Sequence, residues 1–318
     1  MTLPIGNVLG ILVDNLKLRK SVVPLSNRRA TAWAEGLGLK EGGDTVLYTG
    51  HIYQLIPYIS SMSKKMAELE NSWITKFMGI GRIVNKVINL SPFLGGASKE
   101  DRDKYNKLLQ NIALLLKEAK VDFGYLYSKE LYSGALAFDQ GADKAFAIHA
   151  NKLNEMFKKN GVKTVITVDP HTTNMLRSVY PKYIKDYQLE VKSYLEVLAE
   201  KGMVSKNSLD ANVVVHDSCV YARYENVVDA PRQLLVSAGA TIHEPELSGK
   251  LTHCCGGAIE SLFPGKAHQI AEKRAGQLNQ CGENAVTMCP ICMANLQNTT
   301  ENQIEVKDIS EYLVNAYC

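Results

Sequence analysis

The cysteines of this chain are confined to its last third, and that distribution constrains the fold more than any other feature. There are seven among 318 residues, and the first of them is Cys219. An odd number of cysteines crowded into one third of a chain is a poor framework for disulfides. Such a cluster more often ligates a metal or takes part in redox chemistry. The C-terminal third is therefore expected to hold a cysteine-ligated site.

Five of the cysteines follow a spaced pattern. Cys219 and Cys254 are separated by 34 residues, Cys255 and Cys289 by 33, and Cys292 completes a Cys-Pro-Ile-Cys turn. Adjacent cysteines in an extended segment point to opposite faces, so Cys254 and Cys255 share a site only where the backbone bends. The two glycines that follow them supply that freedom and allow close approach to a bulky cofactor. Iron in sulfide clusters prefers thiolate ligands, which makes an iron–sulfur site the favoured interpretation.

Two plainer interpretations stay open for these residues. A structural zinc site takes four ligands, one fewer than the pattern offers. Buried cysteines can also serve simply as small apolar side chains. That second role, or that of a spare thiol, is expected for Cys281, which lies outside the pattern, while Cys318 is expected to be exposed.

Short β-rich segments alternate with helical periodicities, which favours α/β lobes with small parallel sheets. Strands are predicted at residues 45–49, 163–168, 213–216 and 285–288. The longest apolar stripe at helical spacing comprises Tyr105, Leu108, Leu109, Ile112, Leu115 and Leu116.

The chain also repeats itself weakly, and residues 146–175 resemble residues 267–296. Asp169 and Thr172 fall where Cys289 and Cys292 fall, Tyr132 and Ser133 fall where Cys254 and Cys255 fall, and His51 corresponds to Cys219. The pattern predicts two pseudo-repeated, Rossmann-like lobes, of which the first has lost its cysteines. The predicted domains are residues 1–185, with a helical insertion at about 60–121, and residues 186–318.

Composition excludes several classes of function. The apolar fraction is 46%, the charged fraction 22% and the formal net charge +3, which is ordinary for a globular protein and too small to suggest a nucleic-acid partner. No apolar run reaches the ~20 residues of a membrane span. At the N-terminus the apolar stretch precedes the charges, the reverse of a secretory signal. The chain is expected to be cytoplasmic, with peripheral contact at the inner face of the membrane as an alternative.

The second lobe resembles the CCG domain, the cysteine-rich domain found in heterodisulfide reductase. The matching segments are HDSCVYARYENVVDAPRQLL (216–235), HCCGGA (253–258) and MCPICMANL (288–296). The resemblance implies one [4Fe-4S] cluster, of non-standard form in some members, held by Cys219, Cys254, Cys255, Cys289 and Cys292. The family member with two intact motifs holds two clusters, whereas this chain is expected to hold one.

The resemblance implies an oxidoreductase subunit of a heterodisulfide-reductase-like complex, moving electrons to or from a thiol/disulfide substrate or a sulfur carrier. The alternative is an electron-relay subunit of a membrane-associated dehydrogenase of the succinate, glycolate or glycerol-3-phosphate type, without a substrate of its own. The ferredoxin run C-x2-C-x2-C-x3-C-P is absent from the sequence. A small ferredoxin-like iron–sulfur partner, of the type that heterodisulfide reductase uses, is therefore expected, together with further subunits.

Several polar residues carry paired interpretations. His216 and Asp217 are the candidate catalytic residues, which would hydrogen-bond a sulfur atom or donate a proton to a substrate thiolate. The alternative is that they cap the end of a strand. His253 is a similar case, and Arg223 and Arg232 either offset cluster charge or form ordinary salt bridges.

Two further predictions concern the first lobe. His51, Asp169 and His171 could hold a different metal, although ordinary hydrogen bonds are favoured there. Residues 73–94 have the pattern of a basic amphipathic helix, for which packing on its own lobe or on a partner is favoured over a membrane surface.

Overall fold

Two all-parallel sheets organise the computed structural model, which describes residues 4–69, 78–87, 96–299 and 304–318. The strands are β1 Lys40–Glu41, β2 Thr45–Tyr48, β3 Gly124–Tyr125, β4 Thr164–Thr167, β5 Glu190–Ser193, β6 Asn212–His216, β7 Thr241–His243, β8 Asn284–Thr287 and β9 Glu305–Asp308. The first sheet has the order β1-β3-β2-β4-β5 and the second the order β7-β6-β8-β9. The prediction of two α/β, Rossmann-like lobes with small parallel sheets is confirmed.

Helices cover the sheets and connect the strands, as parallel pairing requires. They are α1 Ile5–Arg19, α2 Asn27–Thr31, α3 Ile52–Leu69, α4 Met78–Val87, α5 Lys99–Glu118, α6 Ala135–Asp139, α7 Asp143–Lys159, α8 Pro170–Asn174, α9 Tyr180–Tyr183, α10 Tyr194–Glu200, α11 Asp229–Ser237, α12 Pro264–Asn279, α13 Pro290–Gln297 and α14 Ile309–Tyr317. The four strands predicted from sequence are β2, β4, β6 and β8, the central strands whose apolar side chains are buried.

The two lobes share one topology. The strand order β3-β2-β4-β5 in the first sheet corresponds to the order β7-β6-β8-β9 in the second. Gly134 and Gly256, equivalent in the sequence repeat, both adopt left-handed backbone, with φ of +82° and +83°. Asp169 and Cys289 both form the N-cap of the helix that follows the third strand of this set. The lobes are therefore structural repeats.

The boundary between the lobes lies later than the sequence predicts. Residues 185/186 precede β5, yet β5 pairs with β4 and so belongs to the first sheet. The connection between the lobes is instead the segment 201–211, after α10. A second sequence repeat supports this later boundary, because Glu190-Val191-Lys192-Ser193 in β5 matches Glu305-Val306-Lys307-Asp308 in β9. Each of these strands leads into a helix that begins with a capping box.

Among the described residues, the helical insertion of the first lobe includes α3, α4 and α5, between β2 and β3. The predicted stripe of α5 is buried throughout. Helix α5 packs against α14, the last helix of the second lobe. The insertion therefore joins the two lobes in addition to covering its own sheet.

The described part of the predicted amphipathic helix is α4, since residues 73–77 and 88–94 fall outside the described ranges. Its Arg82 Nε donates to Asp14 Oδ2 on α1 at 2.8 Å. Ile83 and Val87 are 67% and 83% exposed. The charged side of α4 thus faces its own lobe and apolar side chains face outward. Within those ranges, no helix combines the length and apolar content that crossing a bilayer needs.

The lobes are joined by a reciprocal pair of tyrosines. Tyr53 lies two residues after His51, and its hydroxyl donates to Asp308 Oδ2 at 2.7 Å, at the N-cap of α14 in the other lobe. Tyr221 lies two residues after Cys219, and its hydroxyl bonds Ser193 Oγ at 2.8 Å, at the N-cap of α10. Each lobe therefore contributes a tyrosine at an equivalent position to the equivalent helix cap of the other lobe. This reciprocal contact relates the two lobes by a pseudo-twofold axis.

Replacing Tyr53 by phenylalanine should destabilise the protein by about 1–3 kcal/mol, because the buried Asp308 carboxyl loses a hydrogen-bond donor. The measurement is the free energy of unfolding in urea. Tyr224→Phe is the matched control, since that side chain is 69% exposed. Equal stability of the two variants would contradict a role for Tyr53 in joining the lobes.

Candidate metal centre

The five patterned cysteines come from three segments that meet at the carboxyl edge of the second sheet. Cys219 follows β6, and Cys289 and Cys292 lie at the junction of β8 and α13. Cys254 and Cys255 lie between short turns at Gly249–Leu251 and Gly257–Ile259. Since β6 and β8 are adjacent parallel strands, their carboxyl ends lie side by side, the usual position of binding sites in such sheets.

The structure brings all five thiols together in one continuous chain. The side chains are hydrogen-bonded in the order Cys219, Cys254, Cys255, Cys292, Cys289. The sulfurs of Cys255 and Cys292 are 3.1 Å apart. Cys255, Cys289 and Cys292 are buried, whereas Cys219 and Cys254 are half-buried. The pocket is thus a set of sulfur donors with one end open to solvent.

The bend at the paired cysteines depends on the glycines that follow. Gly256 has φ of +83°, and its N–H donates to Cys254 Sγ at 3.3 Å. A Cβ on Gly256 would lie 2.5 Å from the carbonyl oxygen of Ala267, and one on Gly257 would lie 2.3 Å from Ile291. The glycines therefore permit close packing of α12 and α13 on the loop, as well as the bend itself.

The thiols divide into two groups by acidity. Hydrogen bonds from Cys219 and Cys255 lower the pKa of Cys254. Burial opposes ionisation of Cys289, but hydrogen bonds from Cys292 and His171 outweigh it and lower its pKa well below the usual value. The same shared hydrogen bonds, together with burial, raise the pKa of Cys219, Cys255 and Cys292. Ionising all five thiols therefore needs added positive charge, which a bound metal supplies.

His216 lies beside these sulfurs, at the end of β6. One of its ring nitrogens is within 4.8 Å of the sulfurs of Cys255 and Cys292. Its Nδ1 accepts a hydrogen bond of 3.0 Å from Arg274 Nε, and its Nε2 is buried without a hydrogen-bond partner in the protein. Burial lowers the pKa of His216 to about 3, so the ring is neutral. Because arginine only donates, the single ring proton must be on Nε2. His216 therefore carries a buried N–H donor on Nε2, and its ring lies beside the sulfurs.

Arg274 brings a buried positive charge to the same place. Its side chain is completely buried, and its hydrogen-bond acceptors include His216 Nδ1, the carbonyl oxygen of Leu247 at 3.0 Å and Gln277 Oε1 at 3.2 Å, all of them neutral. A buried guanidinium whose hydrogen-bond partners are neutral requires nearby negative charge. The Asp217 carboxylate supplies part of it, and Cys292 and Cys255 also favour the charged guanidinium. Thiolates that ligate an iron–sulfur cluster would add to this charge, so the pocket suits such a group. Arg274 lies on the buried stripe of α12 with Ala267, Ala271 and Leu278. A charged residue at an apolar position of a helix is the sequence feature that could have identified Arg274 as part of the site.

The Asp217 carboxylate binds the loop that precedes Cys254. Its two carboxylate oxygens accept from Arg232 Nη1 and Nη2, each at 2.8 Å, and Oδ2 also accepts from Gly249 N at 2.7 Å. Arg223 Nε donates to the carbonyl oxygen of Lys250 at 3.1 Å in the same loop. These contacts fix the segment that leads into Cys254, so Asp217 and both arginines shape the pocket from outside it.

The remaining candidates lie at the margin of the site. The His253 ring bonds the carbonyl oxygen of Cys254 through Nδ1 at 3.0 Å. Cys281 is half-buried, with its sulfur 3.7 Å from the carbonyl oxygen of Gln277, and Cys318 is exposed. Neither of these cysteines joins the chain of thiols.

In the first lobe, a polar pocket occupies the equivalent position. Glu130 is buried there, and its Oε1 accepts from Thr49 N at 3.1 Å and lies 3.7 Å from His51 Nε2. Burial raises the pKa of Glu130 to about 8 and lowers that of His51 to about 4. Buried polar atoms without a hydrogen-bond partner in this region are His51 Nε2, Glu130 Oε2, Ser133 Oγ, Asp169 Oδ2 and Thr172 Oγ1. Sequence reasoning missed Glu130, which stands two residues before the Tyr132-Ser133 pair.

His51, Asp169 and His171 do not converge on one point. Asp169 Oδ1 accepts from Thr172 N at 2.9 Å and so caps α8. His171 Nδ1 bonds Asp139 Oδ2 at 3.0 Å, and its side chain also bonds Cys289 in the other lobe. The described residues contain one group of three metal-ligand side chains within 4.8 Å, which is in the second lobe. Hydrogen bonds account for the positions of Asp169 Oδ1 and of the His171 ring.

The comparisons agree with this geometry. The family described as CCG, cysteine-rich domain, matches residues 213–297, from β6 to the end of α13. The chain carries a CCG domain. Its curated relatives are iron–sulfur oxidoreductases, and a heterodisulfide reductase is among them.

Three of the curated relatives illustrate the range of sequence identity and of coverage. The probable iron-sulfur-binding oxidoreductase FadF of Bacillus subtilis is 31% identical over 224 residues, 66% of this chain and 32% of that protein. The EtfAB:quinone oxidoreductase of Syntrophomonas wolfei is 28% identical over 260 residues, 73% of this chain and 36% of that protein. One subunit of the dihydromethanophenazine:CoB--CoM heterodisulfide reductase of Methanosarcina barkeri is 24% identical over 229 residues, 67% and 56% of the two chains. The chain thus spans about one third of the length of the first two.

Glu130→Gln should change the pH dependence of stability. Between pH 4.5 and 8 folded Glu130 keeps its proton while the unfolded chain loses it, so this residue makes the wild type less stable as pH rises. The variant carries no such proton, so its stability relative to the wild type should increase by up to about 1.4 kcal/mol per pH unit in this window.

The measurement is urea unfolding of both proteins at several pH values. Below pH 4.5 the difference should be constant, because Glu130 is then protonated in both states, which gives an internal control. The opposite effect of His51 is present in both proteins and cancels. A difference that stays flat from pH 5 to 8 would rule out a protonated Glu130 in the pocket.

Proposed function

We propose that Cys219, Cys254, Cys255, Cys289 and Cys292 hold one [4Fe-4S]-type cluster and that the chain transfers electrons as the CCG component of a heterodisulfide-reductase-like complex. The observation that carries the proposal is the continuous chain of five thiols in one pocket, beside a buried guanidinium. The cluster would supply a centre that accepts and releases single electrons. The protein supplies the thiolates, the Arg274 charge that offsets them and the His216 ring that lies beside the sulfurs.

Chemistry on a thiol or disulfide is supported by the uneven exposure of the thiols. A [4Fe-4S] cluster is usually held by four cysteines, so five leave one thiol in excess. Cys219 and Cys254 are the half-buried members, at the open end of the chain. A substrate sulfur could therefore approach a ligand there, while Cys255, Cys289 and Cys292 hold the buried side.

Electrons must reach this site from elsewhere. The ferredoxin-type cysteine run is absent from the sequence, and the first lobe has no cysteine. The first relatives are more than twice as long as this chain. A ferredoxin-like iron–sulfur partner is the source that fits these observations, within a larger complex.

The second candidate is an electron relay without a substrate of its own, in a dehydrogenase complex at the inner face of the membrane. One relative is named EtfAB:quinone oxidoreductase, and its match covers 73% of this chain. In such a relay the five cysteines have the same ligand role. The partly exposed Cys219–Cys254 end would then face another protein of the complex.

Anaerobically purified protein should contain about four irons per chain, with matching sulfide, as a [4Fe-4S] cluster requires. Cys289→Ser should lose most of this iron, because it removes a buried ligand at the β8–α13 junction. Cys281→Ser is the matched control and should keep the wild-type content. Wild-type protein with zinc alone, or without metal, would refute the proposal.

Adding a disulfide should separate the two functions. With a heterodisulfide such as that of coenzymes M and B as the probe, the electron paramagnetic resonance spectrum of the protein should change if a substrate sulfur binds near Cys254. An unchanged spectrum at saturating disulfide would favour the relay function instead.

A further inference from the structure

A cleft in the first lobe has the size and the lining of a small-molecule site. It lies between α2, α3 and α5 and has a volume of about 860 Å³. Ligand sites are usually clefts of about 300–1,000 Å³. Polar residues of its lining include Arg28 and Arg29 on α2, Gln54 and Tyr58 on α3, and Arg102 on α5. None of the patterned cysteines is among the described residues that line it, so the cleft is separate from the thiol pocket.

Three guanidinium groups make the cleft positively charged. Arg28 and Arg29 are exposed and Arg102 is half-buried, with its Nη1 donating to the neutral carbonyl oxygen of Ala97. Within the described ranges, no salt bridge includes any of these three arginines. Asp103 is the one acidic side chain among the described residues of the lining. Guanidinium groups bind carboxylates and phosphates through paired hydrogen bonds, so the cleft is suited to an anion.

Arg29 connects this charge to the buried side of the cleft. Its Cζ lies 5.9 Å from the centroid of the Tyr58 ring, which is a cation–π distance. Tyr58 is 5% exposed, and its hydroxyl has no hydrogen-bond partner among the described residues. A buried hydroxyl without a partner destabilises the protein. A bound molecule that reaches this hydroxyl would remove that cost.

Gln54 determines what else such a molecule must carry. Its Nε2 donates to Thr49 Oγ1 at 2.7 Å and to the carbonyl oxygen of Ala30 at 3.2 Å. Because a carbonyl only accepts, the amide orientation is fixed and Oε1 is the atom left over. This Oε1 is buried and has no hydrogen-bond partner in the described part of the chain. An acceptor repels an anionic oxygen, and the arginines repel an ammonium group, so a neutral hydroxyl is the donor that suits both.

We propose that this cleft binds a small organic anion, a carboxylate or a phosphate monoester, that also carries a hydroxyl group. Arg28, Arg29 and Arg102 bind the anionic oxygens, while Gln54 and Tyr58 bind the hydroxyl. The inference does not depend on the proposed cluster, and it gives the cysteine-free lobe a binding site of its own.

The first test is calorimetric titration of the full chain, purified anaerobically, with two matched pairs of probes. Malate and succinate differ by one hydroxyl, as do 2-hydroxyethyl phosphate and ethyl phosphate. In at least one pair the hydroxylated probe should bind about threefold or more tightly than its counterpart, because it gains a hydrogen bond. It should also raise the midpoint of thermal unfolding, since it binds the folded state. The pair that binds shows whether the anionic group is a carboxylate or a phosphate.

The second test uses variants with the probe that binds. Arg28→Gln combined with Arg29→Gln should weaken binding at least about tenfold, because charged hydrogen bonds are lost. Lys158→Gln combined with Lys159→Gln is the matched control, since it removes two adjacent exposed cations at the end of α7, and its affinity should equal that of the wild type.

Tyr58→Phe separates binding from folding. The variant keeps the ring beneath Arg29 and removes a hydroxyl that has no partner within the described residues, so the free energy of unfolding should not fall. Its affinity for the probe should fall about threefold or more.

Three results would overturn the inference. The first is that none of the four probes binds saturably at millimolar concentration. The second is equal affinity for the two members of each pair, because the buried side chains would then take no part. The third is wild-type affinity in Tyr58→Phe or in the double arginine variant.

Discussion

The exchange of tyrosine hydroxyls between the lobes is the contact on which the rest of the structure depends. Tyr53 bonds the helix cap at Asp308, and Tyr221 bonds the equivalent cap at Ser193. Both tyrosines follow the first position of the cysteine pattern by two residues, so the contact ties the ligand-bearing turns to the opposite lobe. Because the caps are buried, an interface that opened would remove these hydrogen bonds from one carboxyl and three hydroxyl groups.

This interface explains why a lobe without cysteines is part of the site. It brings α8 of the first lobe against the segment that follows Cys219, where Thr173 Oγ1 lies 3.3 Å from the Tyr221 hydroxyl. Sheet position alone would place the two binding edges in separate lobes. The pseudo-twofold arrangement makes them neighbours.

The two equivalent pockets both bury ionisable groups, but they differ in how the charge of those groups is balanced. In the second lobe thiols surround the space, and the buried guanidinium of Arg274 is positioned to meet negative charge. In the first lobe the space is lined by oxygen and nitrogen atoms, and a high pKa of Glu130 with a low pKa of His51 keeps it neutral. A buried ionisable group is either paired with an opposite charge or shifts its pKa and becomes neutral. The loss of cysteine therefore changed the electrostatics of the first pocket and left its fold in place.

The sequence by itself determined the local features: four central strands with buried apolar residues, the turns after them, and the spacing that assembles five cysteines at one sheet edge. It also contained the repeat of β5 and β9, which places the lobe boundary at 201–211 and not at 185/186. Only the tertiary structure decided the partners of the polar side chains. Asp217 turned to Arg232 and His216 to Arg274, while His171 crossed to Cys289. Periodicity and spacing report which face of an element is buried, but a hydrogen bond between lobes depends on how those faces meet.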